Sequence, residues 1–199
     1  MSKQEIEQFY PETKQQWRKW LEKNHRRKDA VWLIFYKKHT SKPSMNWSDA
    51  VDEALCFGWI DSKAETIDKD TYRQYFCKRK PNSTWSKINK KKIETLTAKG
   101  LMTKAGFAVI DIAKQNGSWT ILDEVEELII PSGLEKAFEK FENSKDYFSS
   151  LSKSKKKGLL QWIALAKKDT TRQKRIFEIA ENASQQQLPK QFRPQKSDL

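Results

Sequence analysis

The 199-residue chain is poor in the residue types that mark a dedicated chemical centre: two cysteines, two histidines, six glycines and six prolines. Cys56 and Cys77 do not form a CxxC pair, and each sits in an apolar run. They read as buried free thiols rather than a disulfide or a metal pair, which fits a reducing cytoplasm. His25 and His39 stand alone in polar stretches with no ligand at metal spacing, so neither a metal nor a cofactor is expected. No GxxxxGK[ST], GxGxxG or GxSxG occurs, which removes the familiar phosphate loop, dinucleotide turn and nucleophile elbow. The longest apolar run is VWLIFY, Val31 to Tyr36, too short to span a bilayer, and the first residues, MSKQEIEQFY, lack the pattern of a signal peptide. A cytoplasmic protein with no membrane span is the expectation.

What the chain does have is positive charge and tryptophan. Net charge is +13 and eight residues are Trp. A basic balance favours polyanionic partners, whether nucleic acid, anionic lipid or phosphorylated ligands, without saying anything about fold. The charge is uneven. Residues 69–92 contain nine Lys or Arg against one acid, a net +8, whereas residues 1–130 as a whole net only +6. Tyr72, Tyr75, Phe76 and Trp85 interleave with those cations. Cations meet phosphates and aromatic faces stack on bases, so this segment reads as an anion-binding surface. The alternative is that Lys90 to Lys92 are a solvated helix flank and the aromatics are core. A second basic cluster, Lys167 with Arg172 and Arg175, lies at the start of a C-terminal helix, where free N–H groups and guanidinium forks suit an anion. Those arginines serve equally well as partners for acids of the first part.

Periodicity gives an α+β fold: a small antiparallel sheet with flanking helices, followed by an all-helical C-terminal unit. A helix over 3–22, interrupted near Pro11, precedes a strand at 31–36 whose unbroken apolar run predicts cover on both faces. Asn46 or Ser48 caps a short helix to Leu55, with Trp47, Val51, Ala54 and Leu55 inward, and Gly58 stops it. Strands at 59–67 and 71–78 flank the turn Asp68-Lys69-Asp70. Ser83 caps a helix over 84–99 with Trp85, Ile88, Ile93 and Leu96 inward, followed by helices over 103–114 and 119–127. Pro131-Ser132-Gly133 marks the boundary, which gives an α+β domain over 1–130, a helical domain over 131–185 and a loosely ordered tail over 186–199.

One ordered set of short motifs is specific enough to carry a resemblance. It comprises Glu53-Ala54-Leu55-Cys56-Phe57-Gly58-Trp59-Ile60-Asp61, then Phe76 with Arg79, then Ser83-Thr84-Trp85-Ser86-Lys87-Ile88-Asn89. Gly100-Leu101-Met102, Gly117-Ser118-Trp119, Trp162-Ile163 and Thr171-Arg172-Gln173-Lys174-Arg175-Ile176 follow. In these residues, over roughly 15–185, the chain resembles the YdeI/OmpD-associated, or bacteriocin-protection, family. It departs from the family at Cys77-Lys78, where Thr-Pro is usual before the arginine, so a site built on a rigid Pro turn is not expected. The resemblance implies a YjbR/CyaY-like α+β layer for the N-terminal part. It also implies a bacterial role in tolerance of bacteriocins and cationic antimicrobial peptides. It brings no reaction, cofactor or catalytic residue.

The leading expectation is therefore a non-catalytic stress-tolerance protein that binds an anionic partner. Its candidate binding residues are Trp59, Asp61, Arg73, Arg79, Trp85, Ser86 and Asn89. Arg73 and Arg79 would contact the anion, Trp85 would pack or stack, and Asp61 would orient an arginine across the hairpin. Ser86 and Asn89, one turn apart, would add polar contacts. The rival is an enzyme on a small phosphorylated or carboxylated substrate, with Glu53 or Asp61 as base and Arg79 as electrostatic clamp. A purely structural partner-binding protein is the third reading. A concave pocket joining Glu53, Asp61 and Arg79 would favour the enzyme, and a flat basic face would favour nucleic acid.

Overall fold

The structure is a computed structural model that describes residues 6–193. Its elements are β1 (Gln8–Phe9), α1 (Lys14–Asn24), β2 (Ala30–Tyr36), α2 (Trp47–Cys56), β3 (Trp59–Thr66), β4 (Thr71–Lys78), α3 (Lys87–Ala98) and α4 (Lys104–Gln115). Five further helices follow: α5 (Asp123–Glu126), α6 (Ser132–Phe138), α7 (Ser144–Ser150), α8 (Lys153–Ala164) and α9 (Asp169–Ser184). The chain divides into two compact units, one ending at Trp119 and one beginning at Thr120. Sequence punctuation had suggested a boundary near 131. It falls earlier because Leu122 and Val125 are buried in the second core rather than the first.

In the first unit a four-stranded sheet has the order β1-β2-β4-β3. β1 runs parallel to β2, and the other pairings are antiparallel. Residues 8–9 thus form an edge strand where a helix was expected. Pro11 prevents α1 from reaching back that far, and the Thr13 hydroxyl caps α1 instead by accepting from the Gln16 N–H. Strand alternation then sorts the faces. Val31, Leu33, Phe35, Trp59 and Phe76 point inward and are buried with Trp17, Leu21, Ala54 and Leu55 from α1 and α2. The Trp17 indole N–H donates to the Ala50 carbonyl at 3.1 Å, which fixes α1 on α2 without leaving a buried donor unpaired.

The β3–β4 hairpin closes on Asp68, whose Oδ1 accepts from the N–H groups of Asp70 at 2.8 Å and Thr71 at 2.7 Å. Those donors hold the Asp68 carboxyl below its ordinary range. A register shift between Asp61 and Ala64 breaks the β3–β4 ladder. A bulge of this kind re-aims the side chains beside it, and Asp61 is one of them.

Two glycines let α2, β3 and α4 approach one another. Gly58 has φ +74°, the left-handed region, and turns the chain from α2 into β3. Gly106 lies where an added Cβ would stand 2.4 Å from the Cys56 carbonyl oxygen. That same oxygen accepts from the Thr103 N–H at 3.1 Å and the Thr103 hydroxyl at 2.7 Å, so the first turn of α4 seals the last turn of α2.

α3 begins later than the sequence suggested. Ser86, not Ser83, is its cap, with Oγ accepting from the Asn89 N–H. This shift turns Ile88 outward, 70% exposed, while Trp85 is buried ahead of the helix. In the second unit, α5 to α9 surround a core of Leu122, Leu134, Phe148, Leu160, Ile163 and Ile179. Residues 186–193, expected to be loose, are seated by the buried Leu188 and by Phe192, whose ring meets Trp162 edge-on at 5.6 Å. The remainder of the expected tail, 194–199, lies outside the described residues.

Two stability measurements follow from this packing. Gly106→Ala forces the Cβ into backbone and should cost about 1–3 kcal/mol or more in denaturant unfolding. Trp59 is 1% exposed, and Trp59→Ala should cost about 3–5 kcal/mol. An unchanged melting curve for either variant would contradict the packing described.

Candidate functional site

Of Glu53, Asp61 and Arg79, the three residues whose shared pocket would favour an enzyme, only Asp61 and Arg79 line one groove. Glu53 is 2% exposed on α2 and is engaged elsewhere: Arg18 donates from Nη1 to its Oε2 at 2.7 Å, and Lys14 lies 3.7 Å from Oε1. Arg18 also donates from Nη2 to the Leu101 carbonyl at 3.0 Å, so the carboxylate is part of a three-way tie and not a free base. Beside it, burial first and the Glu53 charge second push the Cys56 thiol up to about 11. Burial also raises the Cys77 thiol. Burial thus disfavours the thiolate at both cysteines.

Asp61 and Arg79 do converge. Both line a groove of about 750 Å³ at the end of the β2–β4 ladder, together with Tyr75, Cys77, Lys80 and Thr84. Asp61 Oδ2 accepts from the Trp47 indole N–H at 3.1 Å and from Gln74 Nε2 at 3.2 Å. Burial raises the Asp61 carboxyl, against the lowering pull of the Trp47 hydrogen bond and of the Arg79 charge. Arg73, one of the two arginines expected to contact the anion, is held by Glu65. Arg73 donates from Nε at 3.1 Å and from Nη2 at 2.7 Å to Glu65 Oε2, its register partner, and its guanidinium lies 4.4 Å from the centre of the Trp32 ring.

Arg79 has the least ordinary environment in the unit. It is 7% exposed, and its guanidinium carbon lies 3.6 Å from the centre of the Trp85 ring. Nη2 donates to the Thr84 carbonyl, while the buried Nε and Nη1 have no hydrogen-bond partner among the described residues. Burial drives its pKa down to about 10, with Asp61 pulling the other way. A buried cation with unspent donors is costly, and it is a group that a bound anion would relieve. The local sequence builds it. The Arg79 N–H donates to the Gly58 carbonyl at 3.0 Å, which fixes the backbone at the exit of β4, and Pro81 and Asn82 turn the chain back so that Thr84 and Trp85 meet the side chain.

The remaining candidates are mainly supports. Trp59 is buried, with its indole N–H directed at the His25 carbonyl at 3.4 Å. Trp85 is 1% exposed and packs on Trp119 at 5.0 Å, so its free face is covered by Arg79 rather than offered to a base. Ser86 caps α3 and Asn89 supplies the capped N–H. The basic segment is also less free than its composition suggests. Lys78 pairs with Asp29 at 2.9 Å, and Lys92 pairs with Asp52 at 2.5 Å and with the Ser48 hydroxyl at 2.7 Å. Those acids lie far from residues 69–92 in sequence, which is why charge counting missed them.

In the second unit the candidates Lys167, Arg172 and Arg175 have different surroundings. Arg175 donates from Nη1 to the Trp162 carbonyl at 2.5 Å and lies over that ring, while Arg172 lines a small cavity of about 120 Å³ that also contains Glu124. Lys167 is exposed. Among the described residues no three His, Cys, Asp or Glu side chains are grouped to hold a metal, and no helix is long and apolar enough to cross a membrane.

Two protein families match by sequence model. Residues 9–109 match a domain of unknown function, DUF8412, and residues 127–186 match the family described as bacteriocin-protection, YdeI or OmpD-associated. No curated protein and no solved structure matches. The first match covers the sheet unit up to the middle of α4, including Asp61, Arg79 and Trp85. The second supports the YdeI/OmpD-associated kinship through the helical unit. With the sheet match spanning just over half of its residues, the chain belongs to the DUF8412 family.

Proposed function

We propose that this protein is a cytoplasmic, non-catalytic tolerance protein of bacteria, acting against bacteriocins or antimicrobial peptides, that holds an anionic ligand at Arg79. The observation that carries the binding part is the Arg79 guanidinium: 7% exposed, braced on Trp85, and with Nε and Nη1 unspent beside a groove. Lys80, exposed on the same lining, adds charge at the rim, and Ser83 and Thr84 add polar edges. The tolerance role rests on the YdeI/OmpD-associated match of the helical unit. The YjbR/CyaY-like kinship of the sheet unit belongs to the same proposal, and its layered sheet and helices are compatible with it.

An enzymatic reading is kept alive by one observation. The raised Asp61 carboxyl shares the groove with Arg79, so an acid-base group and an electrostatic clamp are adjacent. The two readings part at Asp61→Asn. A binding site keeps or gains anion affinity when a neighbouring negative charge is removed, whereas an enzyme loses turnover.

Thermal unfolding with inorganic phosphate or succinate tests the binding reading. A ligand at about 100 times its Kd adds about 2.7 kcal/mol of stability. Arg79→Lys should remove most of that rise, because an ammonium keeps the charge but not the planar set of donors. Arg79→Met should melt no lower than the parent without ligand, since it deletes an unpaired buried charge, and should show no anion-dependent rise. No shift in the parent protein with either anion at low salt would overturn the reading.

A further inference from the structure

At the other end of the β2–β4 ladder, where Tyr36 pairs with Thr71, lies a second groove of about 620 Å³. It is separate from the Arg79 groove and shares no lining residue with it. The loop between β2 and α2 forms one wall and supplies Lys37, Lys38 and Lys42, while Tyr36, Trp47 and Tyr72 supply rings. No carboxylate lines it. Its size is that of a small-molecule site.

Trp47 is the informative residue. Helical spacing placed it on the apolar face of α2, yet it is 46% exposed, and an indole left half in water forgoes much of its burial energy. Its orientation is nonetheless fixed, because its N–H donates to Asp61 at 3.1 Å. The Tyr36 ring is likewise fixed, edge-on to Tyr10 at 5.2 Å. Lys42 lies 3.3 Å from the Tyr36 hydroxyl and 4.9 Å from the centre of its ring, and no ion pair found among the described residues includes Lys38 or Lys42. Held aromatic plates beside cations with no counter-charge suit a ligand that combines a flat ring with more than one negative charge. Lysines serve phosphate as point charges. A bare anion would leave the rings unused, and an apolar ligand would leave the lysines unused.

We propose that this groove binds a small planar aromatic phosphate of the nucleoside monophosphate class, its ring against Trp47 and its phosphate between Lys38 and Lys42. The site is independent of the anion reading at Arg79. Titration calorimetry of the full chain with adenosine 5′-monophosphate, adenosine and inorganic phosphate, at one moderate salt concentration, tests it. The monophosphate should bind roughly tenfold or more tighter than either half. Lys38→Gln combined with Lys42→Gln should weaken it, as should Trp47→Leu, each by roughly tenfold, whereas Trp47→Phe, which keeps a ring, should retain most of the affinity. Arg79 is also offered phosphate, so the groove is read from what Trp47→Leu and the lysine pair remove from the monophosphate's binding, not from the binding of phosphate itself. The proposal fails if the monophosphate binds no tighter than adenosine, or if the Trp47→Leu and lysine variants bind it like the parent. It also fails if single-stranded DNA binds while the free nucleotide does not.

Discussion

Glu53 sits at 2% exposure in the middle of α2, and a carboxylate so placed is tolerable only with a cation in contact. Arg18 supplies it from α1, and the same guanidinium reaches the Leu101 carbonyl ahead of α4. One buried charge therefore specifies how three segments of the first unit meet. The consequence reaches the candidate site. With α2 fixed, its last turn is sealed by Thr103 and Gly106, and Gly58 then delivers Trp59 inward and Asp61 to the edge of the groove. Of the two acids that could have served as a catalytic base, Glu53 is a structural tie.

The second feature is how the unit distributes its arginines. Arg18 and Arg73 are paired with Glu53 and Glu65, and each also lies near an aromatic ring. Arg79 has the ring and a carbonyl but no carboxylate in hydrogen-bond contact, and burial penalises its charge accordingly. The same stacking geometry thus serves stability in two cases and leaves an unmet demand in the third. Asp61 moderates that demand through its charge while spending its hydrogen bonds on Trp47 and Gln74. Because Trp47 lines the second groove, Asp61 stands between the two concave surfaces of the sheet unit.

Much of the fold was legible because the signals are local. The unbroken apolar run at Val31 to Tyr36, the Asp68 turn, the Gly58 stop and the Thr103 cap each act within a few residues. The first helix was read too long because a two-residue parallel strand leaves almost no periodic trace. The cap of α3 was misplaced by three residues because Ser83 and Ser86 are equally good caps in isolation. The packing of the buried Leu188 and the half-buried Phe192 was missed because two apolar residues among Gln, Lys and Pro carry no period at all.

By itself the sequence determined which residues could be inside and where most helices and strands fall along the chain, and it put Asp61, Arg79 and Trp85 among the candidates. Those are properties of side-chain hydrophobicity, capping and short-range spacing, which act before the chain has folded. Tertiary structure alone decided which charges are spent. Whether Glu53, Arg73, Lys78 or Lys92 is free depends on Arg18, Glu65, Asp29 and Asp52, and for most of these pairs the partner lies tens of residues away along the chain. It also decided that Trp85 gives its face to Arg79 rather than to a ligand, and that Trp47 stays half exposed. Ion pairing and ring stacking depend on distance in space, and a linear sequence does not contain that distance.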